Sequence, residues 1–329
     1  MRPVGRTLVA VGVAALLAGS STPADAQGVA AGPLADGPHE VMVNGVRLWY
    51  GVGGRGEAGT PPVVFLHGGP GQGSVHFQAL AGPAMERRLR MVYLDQRGSG
   101  RSERPASRAY SMDLLVEDVE GLRKTLGVPK IALIGHSFGG TLALEYAAKY
   151  SEHVSSLVFV AGLWDAPAQT RLRCQRTVAM FPRVAARVMG DSAATAGGGA
   201  CDWFWNLPND EREAMNNALM FPDSATRIRL DSAQAASGQR NTGELGSALF
   251  RQGLLQFRFA GARRLTMPVL VIAGRHDGAA VSEGLRQLAS LLPNARFVEY
   301  GNSGHFVYLD ETDRFARDVA EFVRASARR

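Results

Sequence analysis

Short runs of apolar residues recur along the chain, and most of them are followed by a stretch in which apolar residues return with helical spacing. Runs of this length, bounded by glycine and polar residues, are typical of buried parallel strands. We predict strands at 63–66, 90–94, 131–134, 157–160, 268–273 and 295–300. Because these strands alternate with helical segments, the pattern predicts an α/β protein with a mostly parallel, doubly wound sheet.

The pattern changes between the fourth and fifth of these strands. No clear buried strand falls there, and helical stretches and clustered aromatic residues take its place. We interpret 163–262 as a helical cap inserted into a core made of 27–162 and 263–329. Trp203 and Trp205 are candidates for lining a substrate pocket, although the same residues could equally form the core of the cap.

The first 26 residues have the pattern of a secretory signal peptide. Arg2 and Arg6 give a positive start, Thr7 to Ala18 form a short apolar run, and Ala24-Asp25-Ala26 offers small residues at the cleavage positions. We therefore predict that residues 1–26 are removed and that the mature protein is exported, either periplasmic or secreted. No later stretch approaches the length of a transmembrane helix, so no stable membrane anchor is expected after cleavage.

The composition is that of an ordinary globular protein, with 46% hydrophobic and 20% charged residues in a chain of 329. This length suffices for one large domain with an insertion. The formal net charge is +6, but the positive residues are scattered rather than gathered in a run. Nucleic acid is therefore not expected as a partner.

The chain has two cysteines, Cys174 and Cys201, and both fall in the predicted cap. An even pair in an exported protein favours a disulfide, because the compartment is oxidising. The sequence alone leaves two separate thiols equally open, since it does not place the residues within bonding distance. Neither cysteine has the spacing of a metal site, and we expect no metal and no cofactor.

The strongest chemical signal is Gly-His-Ser-Phe-Gly at 135–139, between a predicted strand and a helical pattern. Strand, Gly-x-Ser-x-Gly and helix in this order are the context of a nucleophile elbow. The glycines permit a strained turn that lifts Ser137 clear of the sheet. The helix that follows aims its N-terminal amides at the same place, so we predict Ser137 as the nucleophile and the amide of Phe138 as one oxyanion donor.

A second loop with little side-chain bulk, His-Gly-Gly-Pro-Gly at 67–71, directly follows an earlier strand. In hydrolases with a nucleophile elbow, the loop in this position supplies the second oxyanion donor. We assign that donor to the amide of Gly69, with Gly68 as the near alternative. His67 is interpreted as a structural residue that holds the loop.

Asp277 and His305 each follow a predicted strand of the second half of the chain. The carboxyl ends of parallel strands meet at one edge of a sheet, so both side chains should emerge beside Ser137. The order Ser, acid, His is the one that this architecture uses. His305 would serve as base and then acid, and Asp277 would orient its imidazole. Asp165, after the strand at 157–160, is the competing acid. The other histidines are interpreted as structural or without partners: His39, His76, His136, His153 and His276.

Together these motifs resemble those of the α/β-hydrolase superfamily and, within it, the proline iminopeptidase-like serine peptidases. The loop at 67–71 is similar to that family's oxyanion loop, and Asp-Gln-Arg-Gly-Ser-Gly-Arg-Ser at 95–102 is similar to its next signature. The resemblance covers nearly all of 40–325. It implies an α/β-hydrolase fold and a serine hydrolase without cofactor, which releases an N-terminal proline or small residue from short peptides or aminoacyl amides through an acyl-enzyme.

Two departures from that family leave an alternative open. The family's elbow usually reads Gly-Gly-Ser-Trp-Gly, and Gly-His-Ser-Phe-Gly is closer to that of esterases and lactonases. The family's cap also carries a Trp-x-x-Trp-Glu segment whose acid holds the substrate's amine, whereas Trp203 to Asn206 here contains no Glu. Glu244 is a candidate replacement for that acid. The alternative is therefore a carboxylesterase or lactonase that uses the same three catalytic residues.

Overall fold

The computed structural model describes residues 32–189, 201–239 and 241–328. The predicted signal peptide at 1–26 lies outside these ranges. Within them, no helix combines the length and the apolar composition that crossing a bilayer requires.

The central sheet has eight strands among the described residues. They are β1 Gly37–Val43, β2 Val46–Gly53, β3 Val63–Leu66, β4 Met91–Leu94, β5 Ile131–His136, β6 Val154–Val160, β7 Val269–Gly274 and β8 Ala295–Tyr300. Their order across the sheet is β1-β2-β4-β3-β5-β6-β7-β8. Strand β2 is antiparallel to β1 and β4, and all other neighbours are parallel. The predicted mostly parallel sheet is confirmed.

In the described part of the chain, helices lie in most of the connections between these strands and after β8. They are α1 Val75–Leu80, α2 Gly82–Glu86, α3 Met112–Leu126, α4 Phe138–Lys149, α5 Ala166–Met180, α6 Pro182–Met189, α7 Asp202–Trp205, α8 Asn209–Met220, α9 Ser224–Ser237, α10 Glu244–Arg251, α11 Ser282–Leu291, α12 Val307–Asp310 and α13 Thr312–Ala327. Local sequence explains the ends of α3. The side chain of Ser111 accepts a hydrogen bond from the amide of Leu114 at 3.2 Å, and Gly127 closes the helix with a φ of 67°. Both are common devices at helix ends.

The middle of the sheet is the core of the protein. Strands β3, β4, β5 and β7 are buried along their whole length, which is why they are almost entirely apolar. Helix α4 packs on β5 and β6, α13 packs on β6, and α11 packs on β7 and β8. The carboxyl ends of β5, β7 and β8 therefore lie at one edge of a rigid, covered sheet.

Helices α5 to α10 occupy the chain between β6 and β7, and residues from α5 to α8 build a second, smaller apolar cluster. Its buried members are Cys174, Ala185, Cys201, Trp203, Phe204, Leu207, Met215 and Leu219. A disulfide joins Cys174 to Cys201, whose Cα atoms are 5.4 Å apart, which answers the question that the sequence left open. The proposed limits of the cap, 163 and 262, stay a prediction.

Candidate active site

Ser137 stands on a sharp turn between β5, which ends at His136, and α4, which begins at Phe138. Its backbone has φ 53° and ψ −123°, a conformation that a residue with a side chain rarely adopts and that costs free energy. Glycine is required on both sides of this turn. A Cβ atom at position 135 would collide with the backbone of Gly139, and one at position 139 would collide with the carbonyl of Leu66.

His305 and Asp277 are brought together by the loops after β8 and β7. The Nδ1 of His305 lies 2.8 Å from Oδ2 of Asp277. The other oxygen of Asp277 accepts the backbone amides of Ala279 and Ala280, each at 2.8 Å. Asp277 and His305 are 1% and 6% exposed, so the carboxylate is fixed and shielded from water. The Nδ1–H of His305 donates to this carboxylate, which leaves Nε2 free to accept a proton.

Asp165, the competing acid, has a different role in the structure. Its side chain accepts the amide of Ala168 at 2.8 Å and so caps the N-terminus of α5. It also forms an ion pair with Arg258 at 3.1 Å. Of the two candidate acids, Asp277 is therefore the one that meets His305.

The loop at 67–71 lies directly against the nucleophile elbow. A Cβ atom added to Gly68 would be only 2.9 Å from the Cβ of Ser137, and Gly69 has a φ of 116°. Both positions consequently require glycine. Gly69, Ser137, Phe138 and His305 line the same cavity, so both residues predicted to supply oxyanion amides border the space that the serine borders.

His67 is buried beneath this loop and holds it, as its interpretation as a structural residue predicts. Its Nδ1 is 2.9 Å from the carbonyl of Gly68, and its Nε2 accepts the amide of Gln96 at 3.1 Å. The side chain of Gln96 in turn donates to the carbonyl of His67 at 2.8 Å. Burial lowers the pKa of His67, so the ring is neutral and is able to accept at Nε2.

His136, which was interpreted as structural, contacts the loop of His305, and adjacency to Ser137 in the sequence did not reveal that partner. Its Nε2 donates to the backbone carbonyl of His305 at 2.9 Å, and the two rings are 4.9 Å apart. Burial, with the neighbouring His305 ring, holds the pKa of His136 well below its usual value. The elbow and the loop that carries the proposed base are thus tied by a neutral, buried side chain.

The remaining histidines form no hydrogen bond with Ser137, Asp277 or His305 in the described part of the chain. His39 bonds the carbonyl of Ala35, His153 lies 3.3 Å from Glu120, and the side chain of His276 is exposed. His76 is buried near the aromatic rings of α12, and neither of its ring nitrogens has a hydrogen-bond partner in the described part of the chain. Burial lowers the pKa of His76 to about 3.

The cavity above Ser137 has a volume of about 1190 Å³ and is roofed by residues of the cap. Trp205 lines it and is 55% exposed, whereas Trp203 is buried in the apolar cluster of the cap. The carboxylate of Glu244 accepts a hydrogen bond from the hydroxyl of Tyr110 at 3.0 Å and does not line this cavity. Of the three cap residues predicted to bind substrate, the structure brings only Trp205 to the cavity.

The cap instead supplies charged residues that the sequence analysis did not single out. Arg171, Arg173, Arg212 and Glu213 all line the cavity. They lie on α5 and α8, where a helical pattern alone does not reveal which face meets the sheet edge.

The last turn of α8 also contacts the loops of the acid and the base. The amide of His305 donates to the carbonyl of Met220 at 2.8 Å, and the amide of Gly278 donates to that of Leu219 at 2.7 Å. The side chain of Asn241 donates to the carbonyl of Pro70 at 3.0 Å. The cap is therefore bonded to the core at the very loops that carry the candidate chemistry.

The parallel sheet with an elbow serine at its carboxyl edge defines an α/β hydrolase, a class of hydrolytic enzymes. The family model of the α/β-hydrolase fold matches residues 61–312. A proline iminopeptidase from Thermoplasma volcanium is 34% identical over 306 residues, which cover 86% of this chain and 95% of that protein.

Solved structures agree on the fold. A proline iminopeptidase-related protein from Thermus thermophilus superposes with a TM-score of 0.71 at 24% identity, over 89% of this chain and 98% of its own. An esterase from Exiguobacterium antarcticum gives a TM-score of 0.65 at 21% identity, over 88% of this chain and 100% of its own. The chain belongs to the α/β-hydrolase family and, within it, to the proline iminopeptidase-like group.

Proposed function

We propose that this protein is an exported serine hydrolase of the proline iminopeptidase type, which releases an N-terminal proline or small residue from short peptides or aminoacyl amides. The observation that carries the proposal is the contact of His305 with Asp277 at 2.8 Å, in a cavity shared with the strained Ser137. The similarity to the Thermoplasma relative supports the choice of substrate.

The proposed reaction proceeds through an acyl-enzyme. The hydroxyl of Ser137 attacks the scissile carbonyl while Nε2 of His305 takes its proton, and the negative charge of Asp277 stabilises the imidazolium. The amides of Phe138 and Gly69 stabilise the oxyanion. His305 then returns the proton to the departing amine. Water, activated by the same imidazole, hydrolyses the ester of Ser137 and restores the enzyme.

A peptide's free N-terminus is cationic and needs an anion near the reacting carbonyl. Among the described residues that line the cavity, Glu213 carries the one carboxylate side chain. It lies on α8 of the proposed cap, and within the described ranges no hydrogen bond or ion pair of its own occupies it. We therefore assign to Glu213, in place of Glu244, the role of holding the substrate's amine.

The second candidate is an esterase or lactonase that uses the same three residues. It is favoured by the elbow sequence Gly-His-Ser-Phe-Gly and by the absence of the Trp-x-x-Trp-Glu segment from the sequence. An ester or lactone without an amine would not need Glu213. The two candidates share the acyl-enzyme chemistry and differ in what the cap recognises.

A substrate panel on the purified protein separates the candidates. Proline p-nitroanilide, p-nitrophenyl acetate and an acyl-homoserine lactone would be compared, with Ser137→Ala as the control. We expect turnover of proline p-nitroanilide and a loss on the order of 10⁶-fold in Ser137→Ala. Turnover of the ester or lactone without turnover of the anilide would reject the aminopeptidase in favour of the second candidate.

Export is tested separately from catalysis. The full chain and a chain starting at Gln27 would be produced in a Gram-negative host and followed by cell fractionation. We expect the full chain outside the cytoplasm, shortened at its N-terminus, and the truncated chain inside the cytoplasm. Retention of the full chain in the cytoplasm at its full length would contradict this part of the proposal.

A further inference from the structure

Arg173 is a cationic side chain of α5 that points into the cavity shared with Ser137 and His305. Its Nη2 donates to Oδ1 of Asn216 at 2.8 Å. Its guanidinium carbon lies 5.4 Å from the ring centre of Phe204 and 5.8 Å from that of Trp205. The side chain is thus held in place by an amide and two aromatic rings, and part of its hydrogen-bonding capacity remains unused.

No carboxylate in the described part of the chain lies within 4.0 Å of this guanidinium. Asp277 exerts a longer-range attraction, but its oxygens are taken by His305 and two backbone amides. Burial lowers the pKa of Arg173, which means that the structure around it disfavours its charge. A partly buried cation without a contacting anion is costly unless a ligand supplies the anion.

The surroundings add to the positive charge. Arg171 and Arg212 line the same cavity, and Glu213 is the sole negative side chain among the described lining residues. Arg212 is engaged with the carbonyl of Trp205 and the side chain of Asn209, whereas Arg171 is exposed. The cap side of the cavity therefore attracts anions, and Arg173 is the partly buried cation whose donors remain available there.

We propose that Arg173 is a specificity-determining residue that binds a carboxylate of the substrate. A guanidinium with free donors is suited to a planar carboxylate, which it binds through two parallel hydrogen bonds. The inference rests on the proposed function for the chemistry at Ser137. The carboxylate belongs either to the leaving group, as the C-terminus of a dipeptide, or to the acyl group.

Two pairs of substrates separate these sources. Prolylglycine and prolylglycinamide differ only in a charged or neutral leaving group. The p-nitrophenyl monoesters of glutaric acid and of butyric acid differ in the charge of the acyl group. We expect the wild type to prefer the anionic member of one pair by about 10- to 100-fold in kcat/KM, mainly through KM.

Arg173→Gln should remove this preference and leave kcat/KM for the neutral member within about threefold of wild type, since only the charged contact is lost. Arg173→Lys keeps the charge without the planar fork and should be intermediate. Arg183→Gln is the matched control and should change little, because Arg183 lies on α6, is exposed and does not line the cavity. Thermal unfolding of each variant checks that it is folded.

Equal wild-type rates within both pairs would overturn the inference, as would an equal loss on both members in Arg173→Gln. The ester pair makes the failure of this inference distinct from failure of the aminopeptidase, because it does not involve an amine. A binding measurement serves if neither pair is turned over. Glutarate should then raise the unfolding temperature of the wild type more than that of Arg173→Gln, and an equal shift would reject the site.

Discussion

The two sides of the cavity are built differently. On the core side, Asp277 and His305 are 1% and 6% exposed, and their side chains hydrogen-bond to each other and to backbone amides. On the cap side, Trp205 is 55% exposed, and Arg171 and Glu213 also face solvent. The core fixes each group through several contacts at once, whereas the cap presents side chains from helices with few partners.

This difference assigns the chemical step to the core side of the cavity and substrate recognition to the cap side. The position of a nucleophile or a base must be correct within fractions of an ångström, and a buried sheet edge with glycine turns provides that. Recognition of a substrate's ends tolerates adjustable side chains on a separate layer. Changes on the core side should therefore lower kcat, and changes on the cap side should act on KM or on stability.

Asp277→Asn should have the largest effect of these tests, a loss of about 10⁴-fold in kcat. The amides of Ala279 and Ala280 will orient the new side-chain oxygen toward themselves, so the amide nitrogen faces Nδ1 of His305. The imidazole then accepts at Nδ1 and carries its proton on Nε2, where it no longer takes the proton of Ser137. Steady-state kinetics on the best substrate of the panel measures the loss.

Asp165→Asn is the matched control for this variant. Asp165 caps α5 and pairs with Arg258, so its replacement should leave kcat within about threefold of wild type. A larger loss in Asp165→Asn than in Asp277→Asn would reverse the assignment of the acid and remove the geometric basis of the comparison.

The second test removes the disulfide of the cap with Cys174→Ser and Cys201→Ser together. The bridge closes a loop of 27 residues, and its loss should lower the free energy of unfolding by about 3–4 kcal/mol in the chain-entropy account. The smaller cluster around it should loosen before the sheet does. Denaturant unfolding measures the stability, and kinetics on a small ester and on a peptide separate kcat from KM.

We expect KM for the peptide to rise while kcat for the ester stays within about threefold, because the reacting groups lie on the core side. The reduced wild type should behave as the double variant does. If kcat on the ester falls instead, the bonds from Leu219 and Met220 to the acid and base loops would be the reason, and the core could not be called independent of the cap.

The same contrast decides what could be predicted from the sequence. The strands, the elbow at Ser137 and the partners Asp277 and His305 were predictable, because buried parallel strands are apolar runs and their ends meet at one edge. The glycine-rich loop at 67–71 was predictable for a related reason, since close backbone approach excludes side chains. Local pattern and global fold agree at these places.

The cap was predicted only as helical, and the sequence did not settle which of its residues line the cavity. Trp203 and Glu244 stood out by residue type, but the rotation of each helix turns one into the cap's own cluster and the other toward Tyr110. Arg173 and Glu213 had no local signal at all. The role of His136 depends on a carbonyl 169 positions away in the chain, a long-range contact that spacing along the sequence does not reveal.

The third test concerns the loss of stability at acidic pH, which we expect to arise from a histidine buried in the core. The pKa of His76 is lowered to about 3 by burial, whereas in the unfolded chain it is about 6.5. Below pH 6.5 the unfolded state therefore binds a proton that the folded state does not. The free energy of unfolding consequently decreases as the pH is lowered. Between pH 7.5 and 5 this one residue should cost about 2 kcal/mol.

His76→Leu should abolish that loss, because a neutral side chain does not titrate. The free energy of unfolding would be measured in denaturant at about pH 7.5 and 5, where the wild type should lose about 2 kcal/mol more than the variant. His67 and His136 titrate in both proteins and cancel in the difference. His276→Leu, at an exposed position, is the control. Equal losses in wild type and His76→Leu would mean that the imidazole is hydrated in the folded protein.

The smallest effect should come from His136, which hydrogen-bonds to the backbone of His305 and not to its imidazole. His136→Leu removes the donor to the carbonyl of His305 while it keeps an apolar side chain of similar size. One such hydrogen bond contributes about 1 kcal/mol, so kcat should fall about fivefold. KM should not change, because His136 does not line the cavity.

A role for His136 in packing alone predicts a different result from a role in positioning His305, so the two roles can be distinguished. Loss of packing alone would lower the unfolding temperature of His136→Leu and of His136→Gln alike and would leave kcat unchanged. A positioning role predicts that the glutamine, whose amide again donates toward His305, recovers most of kcat even where stability is not recovered. Recovery of kcat by the glutamine would show that a buried hydrogen-bond donor of the core positions the base. Equal kcat in His136→Leu and His136→Gln would refute the positioning role.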